Sequence, residues 1–361
     1  MTVAEIVADV RARGDAALRD WAERFGDSQP QRVAAEGELD ERSLRAVRAL
    51  ADAVEAVHAA QRPADITVTP IQGIEIERRW LPLDSVGIYV PAGLVSTLVM
   101  TAVPARVAGV PRVAVASPSP SPALLGAARE LGIDEVYAVG GAQAIAGLAY
   151  GTETIPPVAK IVGPGNRFVN EAKLLVCGDV AIDLPAGPSE VLVIGDESAD
   201  AEEVAADLLA QAEHGPDGAA ILVTTSSRLA DEVLARTNGQ VQIETVASLE
   251  DAVQRANEVA PEHLELLVAD PASLEPAIRN AGAVFAGTTA VLGDYAAGSN
   301  HVLPTGGLAR GTGGLGLEAF LRPVQFVRAS REGLAAVRET IETLAGLEGL
   351  PLHARAVEVR T

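Results

Sequence analysis

Two hydrophobic periods alternate along most of the chain. Short branched runs such as Val86-Gly87-Ile88-Tyr89-Val90, Val113-Ala114-Val115-Ala116, Val136-Tyr137-Ala138-Val139 and Lys160-Ile161-Val162 are each followed by an Ala-rich stretch of helical pattern: 98–108, 123–131, 142–149 and a segment ending near Val176. The runs are too short for helices and apolar on both faces, which is the pattern of strands buried in a parallel sheet. A second series follows: a strand at 191–194, a helix at 201–213, a strand at 220–224, a helix at 249–259, a strand at 264–268, a helix at 274–281 and a strand at 283–286. Strand and helix alternating every 20 to 30 residues build βαβ units. Two such series predict an α/β protein of two Rossmann-like layered domains with mostly parallel sheets. Before position 84 the chain reads as helical and polar, with helices at 4–25 and 41–61. From 317 onward it reads as a mostly helical C-terminal arm without strand–helix alternation.

Composition sharpens this picture. The chain has 361 residues, 48% of them apolar and 21% charged, enough to bury two or three cores. Aromatics are only 3%, so small and branched aliphatics must fill those cores. A formal charge of −21 argues against nucleic acid and anionic membrane surfaces as partners, since both require basic patches. The single cysteine, Cys177, ends the apolar run Leu174-Leu175-Val176, which predicts a core thiol and a reducing compartment. The first twenty residues are amphipathic and charged, with no apolar signal core. No apolar run reaches the ~18 residues that span a bilayer. The expectation is a soluble, cytoplasmic protein.

Four of the five histidines lie in turns rich in glycine, proline or acidic residues. Gln211-Ala212-Glu213-His214 closes an amphipathic helix, and its three-residue spacing puts an amide and an imidazole on one face. Taken alone, a histidine there also suits the negative end of a helix dipole. Pro261-Glu262-His263 sets two bases side by side between a helix and a strand, where catalytic groups are commonly held. Gly293-Asp294-Tyr295 leads through small residues to Asn300-His301, and Glu348-Gly349-Leu350-Pro351-Leu352-His353 lies near the C-terminus. His58 falls in a polar helix and reads as a surface residue. Gln211, His214, Asp294 and His353 make a two-nitrogen, two-oxygen set suited to zinc. They are too far apart in sequence for spacing to establish a site.

Nucleotide binding is less legible. Gly311-Thr312-Gly313-Gly314-Leu315-Gly316 fits G-x-G-x-x-G formally, but no strand precedes it and no acidic residue follows at the required distance, so it reads as coincidence. The strand-to-helix turns Gly140-Gly141-Ala142-Gln143 and Gly163-Pro164-Gly165-Asn166 are better phosphate cradles, with free N–H groups expected at a helix start.

Several of these stretches resemble the histidinol dehydrogenase family: Val139-Gly140-Gly141-Ala142-Gln143-Ala144, Ile161-Val162-Gly163-Pro164-Gly165-Asn166, Ala186-Gly187-Pro188-Ser189-Glu190, Gln211-Ala212-Glu213-His214, Pro261-Glu262-His263-Leu264-Glu265 and Asn300-His301-Val302-Leu303-Pro304. The resemblance runs in order from about Val3 to Arg360. It implies an NAD-linked, zinc-dependent, four-electron oxidation of histidinol to histidine through histidinaldehyde. Zn²⁺ would be held by Gln211, His214, Asp294 and His353, the last supplied by the other subunit of a homodimer. The metal would orient the substrate. His263 would take the hydroxyl proton, and Glu262 would activate water against the aldehyde, with a second NAD⁺ taking the second hydride. The resemblance also implies substrate contacts from Ser189, His301 and Glu348, and dinucleotide contacts from Tyr89, Gln143 and Asn166. Together with the alternation, it places 1–92 and 191–315 in a first domain carrying most of the zinc and catalytic residues. It places 93–190 in a second domain on the cofactor side, and 316–361 in an arm that serves the dimer and the active site.

This chain departs from the family at Pro91-Ala92-Gly93, in a trimmed loop near 94–97, in a shorter stretch around 237–240, and in a later N-terminus. The first two touch the cofactor side. The competing readings are an enzyme of the same fold acting on another small polar alcohol such as a sulfonated diol, a non-enzymatic metal- or ligand-binding paralogue, and a zinc hydrolase.

Overall fold

The computed structural model describes residues 2–185, 187–213, 215 and 218–361. They fall into two compact units, 1–61 with 83–320 and 62–82 with 321–361.

The larger unit contains two sheets. In the first, β1 (Gln31–Val33), β4 (Val86–Tyr89), β5 (Val113–Ser117), β6 (Glu135–Ala138), β7 (Lys160–Val162) and β8 (Ala181–Ile182) run in the order β1-β6-β5-β4-β7-β8. All pairings are parallel except that of β1 with β6. Its helices are α4 (Val95–Ala108), α5 (Pro122–Glu130), α6 (Gly141–Tyr150) and α7 (Arg167–Val176). β4 is buried along its whole length, as the continuous apolar run requires. The strand order reverses beside β4, so the loops after β4 and β7 diverge and leave a crevice at the carboxyl edge.

The second sheet is wholly parallel, with β9 (Glu190–Gly195), β10 (Ala219–Thr224), β11 (Gln242–Thr245), β12 (His263–Leu267) and β13 (Ala283–Ala286) in the order β11-β10-β9-β12-β13. Helices α8 (Ala201–Ala212), α9 (Ser227–Thr237) and α10 (Leu249–Val259) join the strands, and the short α11 (Val291–Tyr295) follows β13. Separate apolar cores cover its two faces, Val191, Val193, Val204 and Leu208 on one and Leu192, Ile194, Leu264 and Leu266 on the other. Alternation along β9 and β12 feeds both.

The smaller unit is a three-stranded antiparallel sheet, β14-β3-β2, formed by β2 (Ile66–Ile71), β3 (Ile74–Pro82) and β14 (Leu321–Ala329), together with α12 (Arg331–Leu347) and α13 (Pro351–Glu358).

The two-layer α/β architecture agrees with the sequence reading, but several details differ. The N-terminal stretch is two helices, α1 (Val3–Arg13) and α2 (Asp15–Phe25), parted at Gly14 with φ 56°. With β4, these helices belong to the first sheet rather than to the 191–315 layer: Val3, Ile6, Val10 and Leu18 share one core with Ala144 and Leu148 of α6. The expected grouping of 1–92 with 191–315 therefore gives way, because the apolar face of these helices finds its cover on α6 and α7. The polar helical reading before 84 holds for α3 (Glu41–Ala60) but not for β2 and β3, and the arm, mostly helical as expected, begins with β14. Residues 274–281 form no α-helix. Two 3₁₀ turns, Pro271–Ser273 and Glu275–Ala277, stand nearby, since Pro276 removes an N–H that a helix interior needs. Cys177 is exposed, and His58 is fully buried. Among the described residues no helix is long and apolar enough to cross a membrane.

Candidate active site

A sharp turn creates the site's acid–imidazole pair. Helix α10 ends at Ala260, a non-glycine residue in the left-handed region at φ 54°, and Pro261 prevents the helix from resuming. The chain then delivers Glu262 and His263 to the amino end of β12, 6% and 5% exposed. Glu262 Oε2 accepts the Glu190 N–H at 2.9 Å and lies 2.7 Å from Ser189 Oγ. Burial pushes its pKa up to about 8, against the lowering pull of Ser189 and the Glu190 amide. The negative charges of Asp294 and Glu190 add to the rise.

His263 Nδ1 lies 3.9 Å from Glu262 Oε2, and its Nε2 lies 3.9 Å from Asp294 Oδ1. Its ring stands edge-on to Phe285 with 5.9 Å between centroids. The same phenyl ring requires Gly293, where a Cβ would approach it to 2.6 Å; the close approach seats α11 and thereby Asp294. Asp294 Oδ1 is also 3.9 Å from His301 Nδ1. His301 Nε2 lies 3.2 Å from Thr97 Oγ1 in the first turn of α4, so this imidazole bridges the two layers.

A cleft of about 750 Å³ lies over these groups. Leu94, Thr97, Asn166 and Arg167 of the first layer line it, as do Ser189, Glu262, His263, Asp294 and His301 of the second. The first sheet offers its carboxyl edge and the second its amino edge, where β9 and β12 begin.

Gln211 ends α8 with its side chain buried, its Oε1 3.2 Å from Ser189 Oγ and its Nε2 without a hydrogen-bond partner among the described residues. A buried amide with one unsatisfied end is costly without a ligand. Exchanging the two amide atoms would let nitrogen donate to Ser189 and leave the oxygen unpartnered, as a cation ligand requires. The Asp294 carboxylate beside two imidazoles is likewise a hard oxygen donor, so the placed residues fit a divalent ion in chemistry. His214 lies outside the described residues. Glu348 and His353 lie in the smaller unit, exposed at the C-cap of α12 and within α13. Among the described residues, no three His, Cys, Asp or Glu side chains converge as a metal would require; of the ligands expected from sequence, Asp294 lines this cleft, while Gln211 lines a separate pocket and meets the cleft only through Ser189.

The implied dinucleotide contacts divide. Tyr89 and Gln143 are buried. The Tyr89 hydroxyl accepts the Gly141 N–H at 3.2 Å, and Gln143 Nε2 donates to Asp27 at 3.4 Å. Both residues shape the turn after β6. Asn166 lines the cleft and caps α7, accepting the Phe168 and Val169 N–H groups at 3.0 and 3.1 Å. The N–H groups expected to be free are therefore largely engaged, since the Gly163 N–H also donates, to Asp183 at 2.7 Å. Arg167 supplies a cation in the cleft.

The 163–166 turn is braced by a fully buried pair that sequence reading missed. Lys173 is ion-paired with Asp183 and donates to Gly163 O at 3.0 Å and Leu184 O at 2.7 Å. A lysine on the apolar face of α7 was the available signal. Thr97 was also missed, because nothing in the local sequence marks a threonine within an apolar helix.

A dinucleotide-type sheet edge facing a buried acid–imidazole pair across one cleft defines an α/β oxidoreductase. The histidinol dehydrogenase profile matches residues 1–361. Histidinol dehydrogenase from Rhizobium meliloti (strain 1021) is 45% identical, with 99% of this chain and 91% of that protein covered. The Methanosarcina mazei protein of that name is 42% identical at the same coverage. The crystal structure of histidinol dehydrogenase from Elizabethkingia anophelis matches with a TM-score of 0.91 and 34% identity, covering 99% of this chain and 91% of that one. This chain belongs to the histidinol dehydrogenase family.

Proposed function

We propose that this protein oxidises histidinol to histidine, the closing step of histidine biosynthesis, in two NAD-linked stages through histidinaldehyde. The observation that carries the reading is the buried Glu262–His263 pair, facing a cleft that Asp294 and His301 share. Oxidation of an alcohol to a carboxylate removes a proton from the hydroxyl and later a proton from water, and two bases of different character suit two such steps. His263, held between Glu262 and Asp294, takes the hydroxyl proton. Glu262 then deprotonates the water that attacks the aldehyde, and a base with a pKa near 8 is matched to that task. Burial of both groups keeps bulk water from the aldehyde until the second stage.

Gln211, His214 and Asp294, with His353 of a second copy, would hold Zn²⁺, which supplies a fixed positive centre for orienting the substrate's nitrogen groups. NAD⁺ would supply the hydride acceptor, and Asn166 and Arg167, which line the cleft, would meet it. Ser189, His301 and Glu348 of the second copy are the proposed substrate contacts. Tyr89 and Gln143 act by holding the cofactor turn in shape. A homodimer is supported by apolar side chains left open on the smaller unit, where Leu347 and Leu352 are each 80% exposed and Val327 63%. A cytoplasmic setting follows from the NAD-linked biosynthetic role.

Absorbance at the NADH wavelength with histidinol, before and after chelation, tests the proposal. Two NADH per histidinol that vanish with chelator and return with Zn²⁺ is the expected result. No NADH from the zinc-loaded protein would overturn it.

A further inference from the structure

Glu265 lies two residues after His263 on β12, on the same face of the strand, and is 1% exposed. Its Oε1 accepts the backbone N–H of Ala290 at 2.6 Å, at the N-cap of α11. Its other oxygen is buried with no N–H or hydroxyl donor among the described residues, and the Asp207 carboxyl faces it from α8. Asp207 stands one helical turn before Gln211. Two carboxyl groups bond only if one keeps its proton. Burial and the Asp207 charge both raise the Glu265 pKa, so a proton is held between the two carboxyls. Glu265 therefore touches the beginning of α11, which carries Asp294, and faces a carboxyl of the helix that carries Gln211, while standing on the strand that carries His263.

We infer that Glu265 is a positioning residue that holds the two oxygen-donor residues of the site, Gln211 and Asp294, in register with His263. The inference rests on the proposed function only for its activity readout. It requires a side chain that accepts from Ala290 and shares a hydrogen bond with Asp207, and a glutamine can do both. Glu265→Gln is thus a sharper test than truncation. Leucine of similar volume fills the space but leaves the Ala290 N–H unsatisfied.

The test compares Glu265→Gln and Glu265→Leu in the full chain by three readouts: amide hydrogen exchange over residues 288–300, Zn²⁺ affinity by competition with a chromophoric chelator, and kcat with histidinol. Glu265→Gln should stay within about twofold of the parent on all three. Glu265→Leu should lose at least about tenfold in Zn²⁺ affinity and kcat and expose the 288–300 amides, while KM for NAD⁺ stays within about twofold, because the first layer lines the cofactor side. Should the leucine variant not fold, Ala290→Pro removes the N–H partner alone and should give the same pattern. Unchanged exchange and Zn²⁺ affinity in the leucine or proline variant would overturn the inference, as would damage in Glu265→Gln equal to that in Glu265→Leu. A parent protein that makes no NADH would instead overturn the proposed function, and the exchange readout would still decide the role of Glu265.

Discussion

Ser189 Oγ lies 2.7 Å from Glu262 Oε2, joining the residue before β9 to the residue before β12. The contact draws Glu262 back toward ionisation while burial drives it the other way. The balance leaves the carboxyl near pKa 8, mostly protonated at neutral pH.

Removing the hydroxyl in Ser189→Ala should move the Glu262 pKa further up. If Glu262 acts in its ionised form, the rising limb of the rate–pH profile moves to higher pH. Well below the pKa, the rate falls about tenfold for every pH unit the limb is displaced. Aldehyde oxidation measured from about pH 6 to 10 checks this; a limb that stays in place would exclude Glu262 as the group it reports.

The same group should make stability depend on pH. A carboxyl whose pKa is raised from 4.5 in the unfolded chain to about 8 in the folded protein binds more protons when folded. Its neutral form therefore favours the fold below the unfolded pKa, and that stability is lost as pH rises between 4.5 and 8. Glu262→Gln, neutral throughout, should flatten this decline, raising the melting temperature at about pH 8.5 by several degrees relative to the parent, on the order of a few kcal/mol. Calorimetry of both proteins at about pH 5.5 and 8.5 gives the comparison.

The two bases should separate kinetically. His263→Asn should slow alcohol oxidation by about 100-fold or more, the usual scale for loss of a general base. Glu262→Gln should slow oxidation of supplied histidinaldehyde on the same scale and release aldehyde from histidinol. Single-turnover kinetics with each substrate distinguish the stages, and normal aldehyde oxidation in Glu262→Gln would reassign that residue.

Sharing of the site between copies predicts complementation. His263→Asn and His353→Ala homodimers should each be inactive. Subunits mixed after dissociation should recover about one quarter of parental activity, because half the dimers would be mixed and each would hold one intact site. No recovery in a mixture that sizing and mass spectrometry identify as hybrid would place His353 in the same subunit's site or outside it.

Much of the layered fold was legible in the chain. Branched runs such as Val86-Gly87-Ile88-Tyr89 and Leu192-Val193-Ile194 can be satisfied only inside a covered sheet, so they became β4 and β9. The strands of the smaller unit were not legible. β14 is mostly exposed and mixes Arg322, Gln325 and Arg328 with apolar residues, so its identity comes from pairing with β3, which lies far away along the chain. His58 was read as surface because its neighbours in α3 are polar. Its own position faces inward, where its Nδ1 bonds Val54 O and its Nε2 meets Asn300.

By itself the sequence determined the alternation of strands and helices, the acid–imidazole pair at Glu262 and His263, and the motifs that place the chain in its family. These depend on neighbours along the chain, where a turn at Ala260 and Pro261 or an apolar period is encoded locally. Only the tertiary structure decided that α1 and α2 belong with β4, that Thr97 reaches His301 across the cleft, that Lys173 and Asp183 brace the 163–166 turn, and that Glu265 accepts the Ala290 N–H at the start of α11. Each of these is a polar or apolar contact between distant segments. Its partner is chosen by burial, which makes any unsatisfied group costly and leaves no trace in the adjoining residues.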